Sequence, residues 1–336
     1  MNNIKNDFGS KQNFSKYSNI YSCINENLDA LFEELELNNK KILLSNDNYE
    51  SDILNDVIES LNINLGSKSL FSKYSGVYPY SNENLDVLFN NLDLKDKEVL
   101  SVAGSGDHAF YSYNKGACNV DLFDVNLLAK YYYYYLRIWI IKYYNSFYFD
   151  TINKFKNYNE FSRYFGILFN LVNPTSIDEK EAHEYWKLLY NMCSLKWENY
   201  GFGYYLKNKL FRADTKRINW ISDLSVIKDK VANNNSGFYN CDITCNQTGI
   251  DKVYDVIFLS NIFEYADDEE SIRLKNNICR LLKDDGYIVL SNVKGNLSQI
   301  NESLLSDVFS FEKLPYVRNM NGYFINSGVV LTKKRW

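Results

Sequence analysis

The chain has 336 residues, of which 46% are hydrophobic, and a formal net charge of −5 at pH 7. This length and hydrophobic content suffice for one large buried core with additions, or for two smaller cores. A nonspecific nucleic-acid binder normally carries a basic face. Because acidic residues outnumber basic residues in this chain, we expect no nucleic-acid partner.

The N-terminal region contains a duplication. The segment GSKQNFSKYS at residues 9–18 recurs as GSKSLFSKYS at 66–75, and NENLD at 25–29 recurs at 82–86. The second copy leads into a glycine turn, whereas the first does not. A single duplication is too short an array to form a solenoid. We therefore predict that residues 1–65 hold either a remnant of a duplication or a docking module that supports a homo-oligomer.

A strand, a glycine turn and a second strand follow the duplication. Apolar residues predict strands at 98–103 and 119–124. Gly104 and Gly106 have no Cβ, so the backbone between these strands can turn tightly and approach a ligand closely. This layout is typical of a nucleotide-binding βαβ unit.

Two acids occupy informative places in this unit. Asp107 directly follows the glycine turn, where we expect it to cap the next helix. Asp124 ends the second strand, where a carboxylate accepts hydrogen bonds from two ribose hydroxyls. The glycine pattern alone is a weak signal of a nucleotide site. The position of Asp124 at the end of the second strand strengthens that prediction.

The aromatic-rich run at residues 131–144 is predicted to form the helix after the second strand. Arg137 and Lys142 interrupt it, and its uninterrupted apolar part is shorter than the roughly 18 residues of a membrane span. We therefore expect no transmembrane segment, although an interfacial helix in contact with lipid stays open.

The C-terminal part reads as the remainder of an α/β sheet. Alternating apolar runs and turn residues predict three strands, a helix and a final pair of strands suited to an antiparallel hairpin. Asp242 stands where an acid accepts from an adenine amino group. These predicted elements are strands at 238–243, 256–260 and 287–291, a helix at 268–282, and the final strands within 311–317 and 323–333.

A polar and aromatic cluster follows the fourth predicted strand. Ligands of a doubly wound sheet bind beyond the carboxyl ends of its strands, so Ser260 and Asn261 are expected to face the same crevice as Asp124. Glu264 is a candidate general base, and Tyr265 is a candidate for orienting an acceptor. Alternatively, Glu264 begins the next helix and Tyr265 packs.

Three motifs resemble those of the class I S-adenosylmethionine-dependent transferases. They are VLSVAGSGDH at 99–108, FDVN at 123–126 and LSNI at 259–262. Within that class the chain resembles the bacterial group related to the enzyme that transfers a 3-amino-3-carboxypropyl group to diacylglycerol. The resemblance covers residues 74–142 and 239–336.

The resemblance implies an α/β fold with a class I methyltransferase-like doubly wound sheet, mostly parallel with an antiparallel C-terminal hairpin. It also implies S-adenosylmethionine as cofactor and transfer of a methyl or 3-amino-3-carboxypropyl group to a small-molecule or lipid acceptor. Tyr80 is a candidate lid residue, or alternatively a core tyrosine. The cofactor contacts implied together are Tyr80, Gly104, Ser105, Gly106, Asp107, His108, Asp124, Val125, Asn126, Asp242, Ile243, Ser260 and Asn261.

More than a hundred residues separate the second predicted strand from the third. Their apolar periodicity predicts helices at 158–172 and 178–192. In transferases of the resembled class such an insertion often holds the acceptor site, and the polar stretch at 211–217 is the candidate here. The predicted organisation is an N-terminal extension at 1–65 with a degenerate repeat of 66–101, a first α/β part at 66–142, a helical insertion at 143–236 and a second α/β part at 237–336.

The six cysteines are scattered along the chain. Cys241 and Cys245 form the closest pair, but two thiols with almost no histidine nearby make a poor zinc site. We therefore expect reduced thiols, a cytoplasmic location and no metal.

Two further functions stay open from the sequence. One is a non-catalytic, cofactor-binding interaction module on the same fold. The other is a nicotinamide-dependent reductase, which would more often show a third glycine near Ala109 or Phe110 and a second mononucleotide-binding half.

Overall fold

The computed structural model describes two compact units. Unit 1 contains residues 51–61 and 139–206, and unit 2 contains residues 74–138 and 224–334. The first copy of the duplication and the polar stretch at 211–217 lie outside the described residues. The ranges described are 51–61, 74–81, 83, 85–144, 157–196, 201–206, 224–232, 236–292, 303–314, 317–318, 324–325 and 327–334.

Unit 2 is built on a seven-stranded sheet with the strand order β3-β2-β1-β4-β5-β9-β6. Strands β1 to β5 pair in parallel, and β9 runs antiparallel to both β5 and β6. The class I methyltransferase-like sheet with an antiparallel C-terminal hairpin is therefore confirmed. The strands are β1 Glu98–Val102, β2 Asn119–Phe123, β3 Phe238–Tyr239, β4 Tyr254–Ser260, β5 Leu282–Asn292, β6 Phe309–Lys313 and β9 Ser327–Lys333, while β7 Val317–Arg318 and β8 Phe324–Ile325 form a separate antiparallel pair.

The end of strand β3 and the start of strand β5 differ most from those predicted. Strand β3 ends at Tyr239 rather than at residue 243, because Asp242 turns the chain. Its Oδ1 accepts hydrogen bonds from the backbone N–H and the hydroxyl of Thr244, at 2.8 and 2.7 Å. Strand β5 begins at Leu282 rather than at residue 287, so residues 283–286, between the predicted helix and the predicted strand, belong to the strand.

Helices cover the sheet of unit 2. The longest described helix of this unit is amphipathic and starts with a capping box between Asp267 and Glu270. It buries Leu274, Ile278 and Leu281 against the sheet. The helices are α2 Leu85–Asn90, α3 Asp107–Asn114, α4 Leu127–Lys130, a π-helix Tyr131–Arg137, α9 Leu224–Ala232, a 3₁₀-helix Ile262–Glu264 and α10 Asp268–Leu281.

Unit 1 is helical and has an aromatic core. The two helices predicted in the insertion are present, and α1 packs against α7. The hydroxyls of Ser60 and Tyr185 lie 2.8 Å apart, and Tyr205 Oη donates to the carbonyl of Ser60 at 3.1 Å. The helices are α1 Ser51–Leu61, α5 Ile138–Tyr144, α6 Tyr158–Leu171, α7 Ile177–Lys196 and α8 Gly201–Tyr205.

The tyrosine run is helical, as predicted, but its first part is a π-helix. The side chains of Tyr131, Tyr132, Tyr133 and Tyr135 are buried. These four rings therefore pack within the protein. No helix in the described ranges has the length and apolar character needed to cross a membrane.

Candidate functional site

An open cleft of about 170 Å³ lies at the carboxyl ends of the central strands of unit 2. Apolar side chains form most of its lining, and three carboxylates, those of Asp124, Asp242 and Glu270, border it. Among the described residues, neither a lysine nor an arginine lines it. The lining consists of Val102, Phe123, Asp124, Val125, Cys241, Asp242, Ile243, Thr244, Ile262, Tyr265, Ala266 and Glu270.

The carboxylate of Asp124 is held in place by two backbone amides. Gly104 N donates to its Oδ2 at 3.0 Å, and Asn126 N donates to its Oδ1 at 2.9 Å. A carboxylate has about four acceptor positions, two on each oxygen. The half-buried acid is therefore oriented in the cleft as a hydrogen-bond acceptor.

The two glycines of the turn have different roles. Gly104 has φ of 47°, and a Cβ built on it would meet no atom of the other described residues within 4 Å. Gly106 has φ of 83°, and a Cβ there would lie 2.0 Å from Cδ2 of Tyr133. Both positions favour glycine by their positive φ. Gly106 is needed in addition for the close approach of the π-helix, whereas Gly104 leaves open space.

Asp107 does not cap helix α3, so that prediction was wrong. The N-cap residue is Gly106, with no side-chain cap. Instead, Asp107 Oδ1 forms a buried ion pair with Arg137 Nη2 at 2.7 Å, and its Oδ2 accepts from Ser81 N at 2.6 Å. Arg137 Nη1 also donates to the carbonyl of Ser105. Burial by itself would lower the pKa of Arg137, but Asp107 raises it above its usual value and keeps the guanidinium charged.

Glu83 forms a second buried cluster that sequence analysis missed. Its Oε2 lies 2.8 Å from His108 Nε2, and its Oε1 accepts from the hydroxyls of Ser260 and Ser291, the latter at 2.6 Å. Burial opposes the charge of Glu83, but the charge of His108 and these hydrogen bonds lower the pKa of Glu83 below its ordinary value. The signal that could have found it is its place within the repeated NENLD segment.

The segment after β4 contains the predicted catalytic residues. Ser260 has φ of 52°, and Asn261 precedes the 3₁₀-helix. Asn261 Nδ2 donates to Tyr265 Oη at 3.3 Å, and the side chain of Tyr265 is 46% exposed in the cleft lining. Glu264 belongs to the 3₁₀-helix, and its buried Oε1 has no hydrogen-bond partner among the described residues.

The remaining predicted contacts divide between cleft and core. Asp124, Val125, Asp242 and Ile243 line the cleft. By contrast, five predicted residues are buried outside its lining: Tyr80, Ser105, Asp107, His108 and Asn126.

Asn126 and Tyr80 take part in holding the segment before β1. The side-chain amide of Asn126 exchanges hydrogen bonds with Ser75, donating to its carbonyl at 2.9 Å and accepting from its N–H at 3.3 Å. Tyr132 Oη donates to the carbonyl of Pro79 at 2.8 Å, next to Tyr80. Tyr80 itself is only 8% exposed. This segment is therefore fixed by hydrogen bonds, and Tyr80 is a buried tyrosine rather than an exposed lid residue.

Two thiols lie close to the cleft. Burial raises the pKa of Cys241 to about 11, and burial together with Asp242 raises that of Cys245. Both therefore stay protonated at neutral pH. Within the described ranges, no group of three or more histidine, cysteine or acidic side chains is arranged to hold a metal ion.

Comparisons with known proteins find similarity only to solved structures. No family model and no curated protein matches the chain. The pyocyanin biosynthetic protein PhzM is 12% identical with a TM-score of 0.35, and the match covers 75% of this chain and 55% of PhzM. TehB from Haemophilus influenzae is 13% identical with a TM-score of 0.37, covering 76% of this chain and 64% of TehB.

A third solved structure is the N-methyltransferase NodS from Bradyrhizobium japonicum in complex with S-adenosylhomocysteine. It is 8% identical with a TM-score of 0.35, and the match covers 84% of this chain and 99% of NodS. This chain thus spans less than two thirds of PhzM and of TehB. At these identities and TM-scores the matches assign neither a ligand nor an activity to it.

Proposed function

We propose that unit 2 binds S-adenosylmethionine in the cleft and transfers its methyl group to a small-molecule acceptor. The observation that carries this proposal is the combination of an apolar cleft with carboxylates that follow the ends of neighbouring strands. In this proposal Asp124 accepts from the ribose hydroxyls, and Asp242 accepts from the adenine amino group. Val102, Phe123 and Ile243 supply the apolar contacts to the base.

The size of the cleft supports a nucleoside as the part enclosed. Its volume of about 170 Å³ is below the roughly 300–1,000 Å³ of pockets that enclose whole drug-sized ligands. The remainder of a longer ligand must therefore extend out of the cleft. Gly104 lies beside Asp124, and no atom of the other described residues lies within 4 Å of the position of its missing Cβ, which leaves space for this part of the ligand.

The geometry of the turn disfavours a nicotinamide dinucleotide. Such a ligand places its pyrophosphate at the helix N-terminus after the glycine turn. Here the first residue of α3 is Asp107, whose carboxylate already pairs with Arg137. The ring of Tyr133 also fills the space beside Gly106. A second negative group would meet both repulsion and a steric block.

S-adenosylmethionine, when bound, supplies an electrophilic carbon on a sulfonium. The protein must then orient an acceptor and, where the acceptor carries a proton, receive that proton. Glu264 is the candidate for this role, because a buried carboxylate oxygen without a partner is costly unless a ligand satisfies it. Tyr265, the next residue, lines the cleft and is the candidate for orienting the acceptor, whereas Glu264 is not among the described lining residues.

The nucleoside product distinguishes the transfer reactions without knowledge of the acceptor. The protein is incubated with S-adenosylmethionine and pools of metabolites or lipids, and the nucleosides are analysed by mass spectrometry. S-adenosylhomocysteine would support methyl transfer, whereas methylthioadenosine would support transfer of the 3-amino-3-carboxypropyl group. Binding without either product from any pool would favour the non-catalytic module, and no binding would refute the proposal.

The matched variants for this assay are Glu264→Gln and Tyr265→Phe. Glu264→Gln keeps the size of the side chain and removes the base, so we expect turnover to fall about 100-fold or more while the affinity for S-adenosylhomocysteine is unchanged. Tyr265→Phe keeps the ring in the cleft lining and should act mainly on the KM of the acceptor. A Glu264→Gln variant with full turnover would remove the base from the mechanism.

A further inference from the structure

We propose that Glu83 is a positioning residue that holds Ser260 in a left-handed backbone conformation and thereby sets the wall of the ligand cleft. The role in ligand binding rests on the proposed function. The conformational part rests on the hydrogen bonds and backbone geometry of unit 2 alone.

Ser260 occupies a strained position at the carboxyl end of β4. Its φ of 52° is one of two positive values among the described non-glycine residues. Residues with a Cβ avoid this region because the Cβ crowds the carbonyl oxygen. The pairing of β4 with β5 also changes register between Phe258 and Ser260. Such irregularities in a ladder redirect the chain, and they are frequent beside active sites.

The side chain of Ser260 is fixed from outside its own strand. Its hydroxyl donates to Oε1 of Glu83, a residue 177 positions earlier in the chain. Glu83 in turn is anchored by Ser291 Oγ at 2.6 Å and by His108 Nε2 at 2.8 Å. The carboxylate is buried, so its acceptor bonds are costly to break without replacement. A rigid acceptor therefore holds the hydroxyl of the strained residue.

The turn at Ser260 determines where the next residues lie. Asn261 follows at once and begins the 3₁₀-helix Ile262–Glu264. Ile262 and Tyr265 from this segment line the cleft. Relaxation of Ser260 to negative φ would redirect the segment and move both side chains. Glu83 would then affect the ligand although it does not line the cleft.

Two substitutions of Ser260 separate the backbone from the hydroxyl. Ser260→Ala removes the hydroxyl but keeps the Cβ, so the left-handed conformation loses its anchor. Ser260→Gly also removes the hydroxyl, but glycine adopts positive φ readily. If one molecule in ten keeps the binding conformation, the apparent affinity falls about tenfold. We therefore expect Ser260→Ala to weaken S-adenosylhomocysteine about tenfold relative to the parent, and Ser260→Gly to bind more tightly than Ser260→Ala.

Ser291→Ala removes the other hydroxyl on the same Oε1, and that hydroxyl also lies 3.4 Å from the hydroxyl of Ser260. Because Glu83 still accepts directly from Ser260 in this variant, its affinity should fall less than that of Ser260→Ala. Glu83→Gln keeps an acceptor oxygen for Ser260 and should bind, whereas Glu83→Ala should bind weakly and regain affinity when combined with Ser260→Gly. A general loss of packing in Glu83→Ala would not be reversed by that second change.

Titration calorimetry with S-adenosylhomocysteine measures all of these variants, and thermal unfolding is recorded in parallel. Equal weakening by Ser260→Ala and Ser260→Gly would overturn the proposal, because the hydroxyl itself would then be what matters. Parent-like affinity in both Ser260→Ala and Ser260→Gly would overturn the proposal as well. If the parent protein binds no S-adenosylhomocysteine, the proposed function fails. The unfolding temperatures then still test whether Glu83 holds Ser260 in its left-handed conformation. Ser260→Gly must then unfold at a higher temperature than Ser260→Ala.

Discussion

The two glycines of the turn should respond differently to alanine. At Gly106, φ of 83° costs a residue with a Cβ about 1–2 kcal/mol. The new Cβ would also lie 2.0 Å from Cδ2 of the buried Tyr133, and overpacking of that kind typically adds about 1–3 kcal/mol. We expect Gly106→Ala to lower the free energy of unfolding by about 2–5 kcal/mol.

Gly104→Ala is the matched control, because its φ of 47° is also positive but its Cβ would meet no atom. Only the conformational cost of about 1–2 kcal/mol applies to it. Urea unfolding followed by tryptophan fluorescence measures both variants. The new methyl group at 104 projects into space that the proposed ligand uses, so Gly104→Ala should also weaken S-adenosylhomocysteine.

The same loss of stability in both glycine variants would refute the distinction between a packing glycine and a ligand-facing glycine. So would a Gly106→Ala protein as stable as the parent, because Tyr133 would then have room to move. Full affinity in Gly104→Ala would show that its open face is not used by the ligand.

Three further outcomes are expected. Cys241 lines the cleft and has a pKa raised to about 11, so iodoacetamide at pH 8 should label it slowly. S-adenosylhomocysteine should protect Cys241 from labelling but should not protect the exposed Cys118. Equal labelling of Cys241 with and without ligand, measured by mass spectrometry, would contradict the proposed site. Glu83 has a lowered pKa in the folded state, so its charge stabilises the protein above the ordinary carboxyl pKa of about 4.3, and this contribution is lost as pH falls through the folded pKa. The unfolding free energy of the parent should therefore drop towards that of Glu83→Gln on acidification, and a widening gap in urea unfolding would argue against an ionised Glu83. Asp107→Asn leaves Arg137 as a buried charge without its partner, so it should cost about 3–5 kcal/mol, and a loss below about 1 kcal/mol in the same assay would mean that the pair is not formed.

The central sheet could be predicted because its signals are local. Strands β1, β2 and β4 are short apolar runs bounded by turn residues, and Asp124 follows β2 directly. Strand β3 was predicted too long because the side chain of Asp242 accepts hydrogen bonds from Thr244 in a turn. The pattern of apolar residues carries no signal for such a side-chain interaction.

The buried clusters could not be predicted because their partners are distant in sequence. Glu83 meets Ser260 and Ser291 across separations of 177 and 208 residues. Asp107 was predicted to cap the helix that directly follows it in sequence. Its partner is instead Arg137, at the end of the π-helix. The role of Gly106 likewise depends on Tyr133, which only the folded chain brings beside it.

The most direct test of the cofactor site is a thermodynamic cycle between Asp124 and the ribose. Calorimetry compares S-adenosylhomocysteine with its 2′,3′-dideoxy analogue, on the parent protein and on Asp124→Ala. Hydrogen bonds to a charged group contribute about 1.5–3 kcal/mol, so loss of the hydroxyls should weaken binding to the parent about 10- to 100-fold. The same loss should have little effect on Asp124→Ala. An equal loss on both proteins would contradict the assignment of Asp124, and no binding of S-adenosylhomocysteine by the parent would contradict the account as a whole.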